Sequence, residues 1–406
     1  MKKALSHLRV LDMSRVLAGP FLGQNLADFG ADVIKVERPG HGDETRTFPP
    51  YLSGADGEQT PDSAYFMSIN RGKRSVTIDI STPQGQALIR SLVAKSDVLI
   101  ENYKAGDLKR YGLDYEEMRK VNPGLVYCSI TGFGQTGPYR SRPGYDYIFQ
   151  AMSGLMSITG GPDHLEGGGP AKVGLAICDV ITGIYSSFAV MTALAHREQT
   201  GEGQHIDMSL LDTTIATLSH INMNYLVGGI VPKRMGTGHP SIVPYQMFQA
   251  LDGPIVVAVG NNSQFVKLCA LLGLHELSVD PRFLTNPLRV ARREYLVPLL
   301  EEAFAVDTME AWVQKLTGAG VPCGPLYDIP QVFKDPHVKA RGVRVEMPHP
   351  RGDSVSILAN PARLSLTPPA YERVAPLLGE HTQEVLRQVL GLSDLAIEQL
   401  AAEGVI

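Results

Sequence analysis

Leu8-Arg-Val-Leu-Asp-Met-Ser-Arg-Val-Leu-Ala-Gly-Pro20, followed by Phe29-Gly-Ala-Asp-Val-Ile-Lys-Val-Glu-Arg-Pro-Gly40, reads as strand, turn, helix and strand. Arg9–Met13 is the first strand and Phe21–Phe29 the helix. Ala31–Glu37 is the second strand, stopped by Pro39-Gly40. The same texture continues outward. Ser75–Ile80 alternates as a strand, and Thr82–Ser96 has helical spacing after Pro83, a residue suited to a first helical turn. Asp97–Glu101 and Leu125–Ile130 are further short apolar strands. Residues 41–64 are rich in Gly, Pro and Asp and read as a long loop. Strands alternating with helices predict an α/β fold, a parallel sheet with flanking helices.

Val180–His196 is a long apolar helix pattern, stopped by Thr200-Gly-Glu-Gly203. Gln204–Met208 resumes as a strand and Leu210–Leu226 as a helix. The texture then shifts: Gly228–Pro244 carries many Gly and Pro residues and reads as a crossing into another unit. That unit has a strand at Ile255–Val259 and helices at Ser263–Leu272, Arg292–Ala305 and Thr308–Ala319. Pro322-Cys-Gly-Pro325 reads as the return linker. The tail has few strong periods until terminal helices at Glu380–Leu390 and Ser393–Glu403. A chain of 406 residues is long for one core. The expected division is 1–227, 228–327 and 328–406.

Hydrophobic residues at 44% and charged residues at 19% fit a globular enzyme rather than a disordered chain. A net charge of −5 gives no global reason to expect nucleic acid. Met1–His7 lacks an apolar signal region, and no apolar run of spanning length stands out. A cytoplasmic protein without a membrane partner is expected. Cys128, Cys178, Cys269 and Cys323 are far apart with no Cys-x-x-Cys pair, so no metal site is expected.

Gly169-Pro-Ala-Lys-Val-Gly-Leu-Ala-Ile-Cys-Asp179-Val-Ile-Thr-Gly183 puts one carboxylate between a small, apolar run and a long helix pattern. Such an acid is poorly solvated yet close to the free N–H groups of a helix start. It suits a carboxylate nucleophile that attacks an acyl group. The plainer reading is a helix N-cap. Cys178 offers a thiol alternative, but no histidine is close in sequence to activate it.

Further motifs stand in order along the chain: Asn70-Arg-Gly-Lys-Arg-Ser75, Asp97-Val-Leu-Ile-Glu-Asn-Tyr103, Ile130-Thr-Gly-Phe-Gly-Gln-Thr-Gly-Pro138 and Pro376-Leu-Leu-Gly-Glu-His-Thr382. With the opening stretch and Asp179, they resemble the family III coenzyme A transferases (CaiB/BaiF type) over nearly the whole chain. The resemblance implies a Rossmann-like large domain built from both chain ends, a smaller middle domain and an interlocked homodimer. It implies Asp179 as the nucleophile. It places CoA against Arg38, Ile78, Ser81, Asn102, Tyr103, Lys104, Arg110 and Tyr145. Each of these alone reads as a surface, loop or helix residue. Lys73 and Arg74 match a motif but read as structural or peripheral. Glu37 sits where a nicotinamide-binding fold places its ribose acid, yet the G-x-G-x-x-G spacing is absent.

The resemblance implies acyl-CoA and free carboxylic acids as substrates, with no cofactor beyond CoA itself. Two other readings compete. An acyl-CoA racemase of the same family needs a second base, where this chain has Pro143-Gly144-Tyr145-Asp146; a phenol is a poor base at neutral pH. A non-catalytic CoA-binding protein is the third class. Leu17 and the absence of a poly-glycine run argue against oxalate. Gly42-Asp-Glu-Thr-Arg-Thr-Phe48, Tyr127-Cys-Ser-Ile-Thr-Gly132 and Ser241-Ile-Val-Pro-Tyr-Gln246 resemble the succinate–hydroxymethylglutarate branch. That implies succinyl-CoA as donor and a C4–C6 dicarboxylate as acceptor. Arg46 is the expected partner of the distal carboxylate, with Phe48 and His239 lining the pocket; surface-loop roles are the alternative.

Overall fold

The computed structural model describes residues 3–54 and 56–406. Six parallel strands form the central sheet: β1 Arg9–Asp12, β2 Asp32–Glu37, β3 Arg74–Thr77, β4 Val98–Glu101, β5 Val126–Thr131 and β6 His205–Ser209. Their order across the sheet is β6-β5-β4-β1-β2-β3. The chain therefore builds outward from β1 to one edge, then returns to β1's other side. This is the doubly wound arrangement of nucleotide-binding α/β folds.

Both faces of the sheet are apolar, as a sheet sandwiched by helices requires. Val10, Val98, Ile100, Val126, Cys128 and Ile130 share one core with Leu22, Leu26, Val190 and Leu194. Those partners come from helices α1 Ala18–Asp28 and α4 Ile177–Thr200. Leu11, Leu99 and Tyr127 face the other way. They pack with Leu88, Ile89 and Leu92 of α2 Pro83–Val93, and with Val385, Leu386 and Ile397 of the terminal helices Thr382–Leu390 and Asp394–Ala402. The end of the chain thus completes the core that its beginning starts. Two further helices complete the set used below: α3 Asp146–Met152 and α5 Leu210–Thr217.

The chain divides into two compact units. The first comprises Met1–Leu155, Lys172–Ile230 and Arg341–Ile406; the second comprises Met156–Ala171 and Val231–Ala340. The division falls at 231 and 340 rather than 228 and 327. Residues 156–171 also join the second unit, where Gly161 pairs with Gly169 in a short hairpin and Gly236 N–H donates to the Gly160 carbonyl at 3.1 Å. The second unit holds a three-stranded antiparallel sheet of β7 Tyr245–Gln249, β8 Pro254–Ala258 and β9 Cys323–Pro325. Pro322–Pro325 is therefore not a linker. β9 is an edge strand, a place that tolerates the missing N–H of proline.

Other local differences have clear causes. The expected loop over 41–64 contains a 3₁₀ turn at Glu44–Thr47 and a hairpin of Tyr51–Ser53 with Gln59–Ser63. The expected helix over 210–226 is two helices, Leu210–Thr217 and His220–Gly228, broken at Ser219 with φ 46°. The tail, which shows few strong periods before its terminal helices, contains a hairpin, β10 Arg344–His349 with β11 Gly352–Leu358. Its Met347, Val355 and Ile357 pack on Phe66 and Met67.

α4 is long and apolar enough to cross a membrane by length and composition, contrary to the expectation that no such run exists. One face of it is core: Cys178, Thr182, Gly183, Ser186, Val190, Ala193 and Leu194 are buried. Gly183 makes the close approach to α1 possible, since a Cβ there would stand 2.8 Å from the Ala18 carbonyl oxygen.

Candidate active site

In doubly wound sheets, ligands collect at the carboxyl ends of the strands where the order reverses. Here that point lies between β1 and β4. The two following segments are tied together: Arg15 N–H donates to Asn102 Oδ1 at 2.8 Å, and Asn102 Nδ2 donates to the Arg15 carbonyl at 2.6 Å. Two clefts adjoin at this tie. One, of ≈ 580 Å³, reaches over β2 and β3 and is lined by Arg38, Ile78, Ser81, Tyr103 and Arg110. The other, of ≈ 250 Å³, is lined by Asn102, Tyr103, Lys104, Tyr145 and Asp179. Arg15, Glu44, Tyr103 and Asp107 line both. Every residue expected to touch CoA therefore borders one of two joined spaces, and Asp179 borders the second.

Asp179 occupies the third position of α4, whose N-cap is Ala176 with no capping side chain. Asp179 is therefore not the cap. Asp146, at the start of α3, takes that task from a distance. Its Oδ1 accepts the N–H of Cys178 at 2.7 Å and of Asp179 at 3.4 Å, while Oδ2 accepts Gln150 Nε2 at 2.6 Å. The carboxyl of Asp179 is pushed up to about 7, first by burial and then by the charge of Asp146. A desolvated carboxylate with this basicity is a better nucleophile than one in water, yet half of it remains ionised near neutrality. Burial pushes the adjacent Cys178 thiol up to about 12, which removes it as a competing nucleophile.

The fixed shape of this wall comes from small residues. A Cβ at Gly132 or Gly144 would stand 2.5 or 2.2 Å from the Phe149 ring, so glycine at both positions lets the loops close over it. Thr131, at the end of β5, borders Asp179's cleft; its buried hydroxyl has no partner among the described residues.

Beneath the larger cleft lies a floor of buried ion pairs. Lys35 Nζ pairs with Asp43 at 3.0 Å and donates to the Ser14 carbonyl at 2.9 Å. Lys73 Nζ reaches Asp12, Asn70 and the Pro20 carbonyl, each at 2.8 Å, a structural link rather than a ligand contact. Asp43 also accepts the Val16 N–H at 3.3 Å, holding that residue at φ 68°. Such a conformation is uncommon for a β-branched side chain and needs support from its surroundings.

Arg46 belongs to this floor. Its Nε and one terminal nitrogen donate to the two oxygens of Glu37, both at 2.7 Å, and it also reaches the Pro376 carbonyl at 3.1 Å. Its guanidinium lies 3.6 Å over the Phe66 ring. The fork expected to meet a substrate carboxylate is thus already filled, and Arg46 lines neither cleft. Burial opposes the charge on Glu37, but hydrogen bonding from Arg46 and the charge of Lys35 hold it below the usual carboxylate range. Glu37 is a buried structural partner, not a ribose ligand.

Phe48 lines neither cleft either. It stands edge-on to Tyr65 at 5.6 Å. Burial, then the charges of Asp179 and Asp146, push the Tyr65 phenol up, so Tyr65 lies in the field of those two carboxylates. His239 lies in the second unit, where its Nδ1 accepts the Ser241 N–H at 3.0 Å. Sequence reasoning missed Asp146, Tyr65, Arg15, Arg140 and Arg142. The last three border Asp179's cleft. The Gly144-Tyr145-Asp146 step is a signal for the first; the arginines carry none beyond their charge. Among the described residues, no group of three or more His, Cys, Asp or Glu is placed to hold a metal ion.

Comparison with known proteins shows what this chain is similar to. Residues 5–382 match the family model described as "CoA-transferase family III". A succinate–glutarate CoA-transferase of Agrobacterium fabrum is 49% identical over 394 residues, covering 96% of each chain. A human succinyl-CoA:glutarate CoA-transferase is 44% identical over 404 residues, covering 100% of this chain and 90% of that one. A crystal structure of a CAIB/BAIF family protein from Brucella suis superposes with a TM-score of 0.83 at 46% identity, covering 96% of this chain and 100% of that one.

Proposed function

We propose, on the premise that this chain belongs to CoA-transferase family III, that it moves CoA from succinyl-CoA to glutarate or a related C4–C6 dicarboxylate through covalent intermediates on Asp179. The observation that carries the mechanism is a basic, poorly solvated carboxylate lining the smaller of two adjoining clefts. The observation that carries the substrate class is the likeness, over nearly full length, to two enzymes named for succinate and glutarate.

Asp179 attacks the thioester carbonyl of succinyl-CoA and expels CoA thiolate, leaving a mixed anhydride. The thiolate attacks the aspartyl carbonyl and expels succinate, leaving an aspartyl-CoA thioester. The acceptor carboxylate attacks that thioester and frees the thiolate again. The thiolate then attacks the acceptor's carbonyl, forming the new acyl-CoA and restoring the Asp179 carboxylate. Every bond broken is matched by one formed, so carboxylate and thiolate chemistry suffice without a further cofactor.

In this reading the larger cleft takes the nucleotide of CoA. Arg38 and Arg110 meet its phosphates, Ile78 and Ser81 border the base, and Tyr103 stands at the junction. Asn102, Lys104 and Tyr145 flank the thioester arm on its way to Asp179. A homodimer is part of the proposal. Its support is a band of exposed apolar side chains on the first unit: Ile184, Tyr185, Phe188 and Met191 of α4, with Met223, Tyr225, Leu226 and Val227 of the helix His220–Gly228. So large an apolar surface is the mark of an interface. Four free cysteines agree with a reducing, cytoplasmic setting.

The test is a panel of dicarboxylic and monocarboxylic acids offered with succinyl-CoA, the CoA esters read by mass spectrometry. Glutaryl-CoA or a near homologue should dominate. A product spectrum led by monocarboxylic or oxalyl esters overturns the substrate assignment.

A further inference from the structure

With Arg46 engaged by Glu37, the carboxylate of a diacid that does not react needs another cation. Arg15 borders both clefts but is ion-paired with Glu44. Arg38 and Arg110 border only the larger cleft. Arg142 borders Asp179's cleft and not the larger one. Among the described residues it has no carboxylate within ion-pair distance.

Arg142 is also held in place. Its guanidinium lies 3.6 Å over the ring of Tyr139. Tyr139 stands edge-on to Phe133 at 5.6 Å, and Phe133 edge-on to Phe149 at 5.1 Å. Phe149 is fully buried in the core beneath the sheet's end. Arg142 N–H donates to the Tyr139 carbonyl at 2.9 Å, which closes the turn that brings cation and ring together. Stacking occupies the face of a guanidinium and leaves its in-plane N–H donors open. Those donors match a carboxylate two at a time. Four residues later the same segment presents Asp146, which holds the first turn of the nucleophile's helix. One stretch of chain therefore sets both the nucleophile and an open cationic fork on one cleft.

We infer that Arg142 binds the non-reacting carboxylate of the dicarboxylate, both as free acid and as its CoA monoester. This assignment rests on the dicarboxylate reading above. It makes Arg142 a specificity-determining residue: acids without the second carboxylate leave the fork solvated and gain nothing from it. Arg140 also borders the cleft, but no aromatic ring among the described residues supports it, so it contributes general positive charge rather than a fixed contact.

The experiment uses the full-length enzyme with succinyl-CoA as donor and either glutarate or valerate as acceptor. In a double-displacement reaction, kcat/KM for an acceptor reports its own half-reaction, so the donor step is common to both. Arg142→Gln should lower kcat/KM for glutarate by roughly ten- to a hundredfold, the effect of losing a charge-assisted pair, and leave valerate unchanged. Affinity for free CoA, measured by calorimetry, should not move. Arg142→Lys keeps charge without the fork and should show a smaller loss with the same selectivity; it also serves if the glutamine variant does not fold. Equal losses for the two acids, no loss, or a selective loss in Arg140→Gln instead would overturn the assignment. If the wild-type enzyme itself does not prefer glutarate to valerate, the dicarboxylate reading fails. If it does and Arg142→Gln keeps that preference, only the assignment of Arg142 fails.

Discussion

Asp146, from the start of α3, caps the first turn of α4, where Asp179 stands: Asp146 Oδ1 accepts the N–H of Asp179 at 3.4 Å and of Cys178 at 2.7 Å. One carboxylate thereby does two opposing things to the other. It fixes the backbone of Asp179, and its charge adds to burial in pushing the Asp179 carboxyl up to about 7. Like charges this close disfavour joint ionisation.

A pH profile follows. The reactive form of Asp179 is the carboxylate, so kcat/KM for succinyl-CoA should rise as pH increases through about 7 and level off above it. Asp146→Asn keeps an acceptor oxygen for the N–H groups but removes the charge. The acid limb should then move to lower pH. A limb that stays in place would show that burial alone sets it.

Stability should run the other way. A carboxyl raised from 3.8 to about 7 binds its proton more tightly in the folded state than in the unfolded one. Its contribution therefore destabilises the fold progressively from about pH 4 to pH 7 and remains fully unfavourable above that. Asp179→Asn should raise the melting temperature of the ligand-free enzyme at pH 8 and do little at pH 4. The upper bound is on the order of 4 kcal/mol. An equal gain at both pH values would contradict the shift.

Arg46 should behave as a structural residue. Arg46→Met leaves Glu37 buried without its fork, and breaking such a pair costs about 3–5 kcal/mol. The loss should appear as lowered unfolding temperature and weaker CoA binding, with glutarate and valerate affected alike. A loss confined to dicarboxylates would restore Arg46 as the substrate contact.

Much of this fold is legible in the chain because buried parallel strands leave short apolar runs, and β1 to β6 each stand within about a residue or two of their sequence positions. The third strand is the exception at its far end: Ile78–Ile80 alternates like a strand, but the ladder stops at Thr77 and Asp79 N–H donates to the Val405 carbonyl instead. No local pattern announces a partner from the chain's last residues. Pro322–Pro325 looks like a linker because glycine and proline punctuate chains, and only the pairing of Ile255 with Pro325 makes it an edge strand.

The site divides the same way. The resemblance singles out Asp179, which borders the smaller cleft, and the segments expected to hold CoA border the two clefts because they follow strand ends, where such folds place ligands. The sequence points Arg46 at the substrate, whereas in the structure the turn from Arg38 to Asp43 brings Arg46 back onto Glu37 at the end of β2. An arginine in a polar loop looks the same whether its fork is filled or open. Both guanidiniums stack on a ring, Arg46 on Phe66 and Arg142 on Tyr139; what distinguishes Arg142 is that no carboxylate among the described residues lies within ion-pair distance of it.

The nucleotide cleft makes a separate prediction. Arg38→Ala and Arg110→Ala should each weaken CoA by about tenfold, as expected for losing a phosphate contact. A succinyl-pantetheine thioester, which lacks the nucleotide, should be used equally well by the variants and the parent enzyme. If the fragment suffers the same loss, these arginines support the fold rather than the phosphates.

The covalent role of Asp179 is tested most directly by following oxygen. Glutarate labelled with heavy oxygen in both carboxylates is turned over with succinyl-CoA, and the peptide containing Asp179 is then isolated and weighed. When the acceptor attacks the aspartyl thioester and the anhydride collapses, one labelled oxygen stays on the Asp179 carboxylate. The account predicts that this peptide gains one heavy oxygen in the first turnover and approaches two over the next few, and that no other peptide gains any. Full turnover with an unlabelled Asp179 peptide would mean that CoA passes between the acids without a bond to this residue.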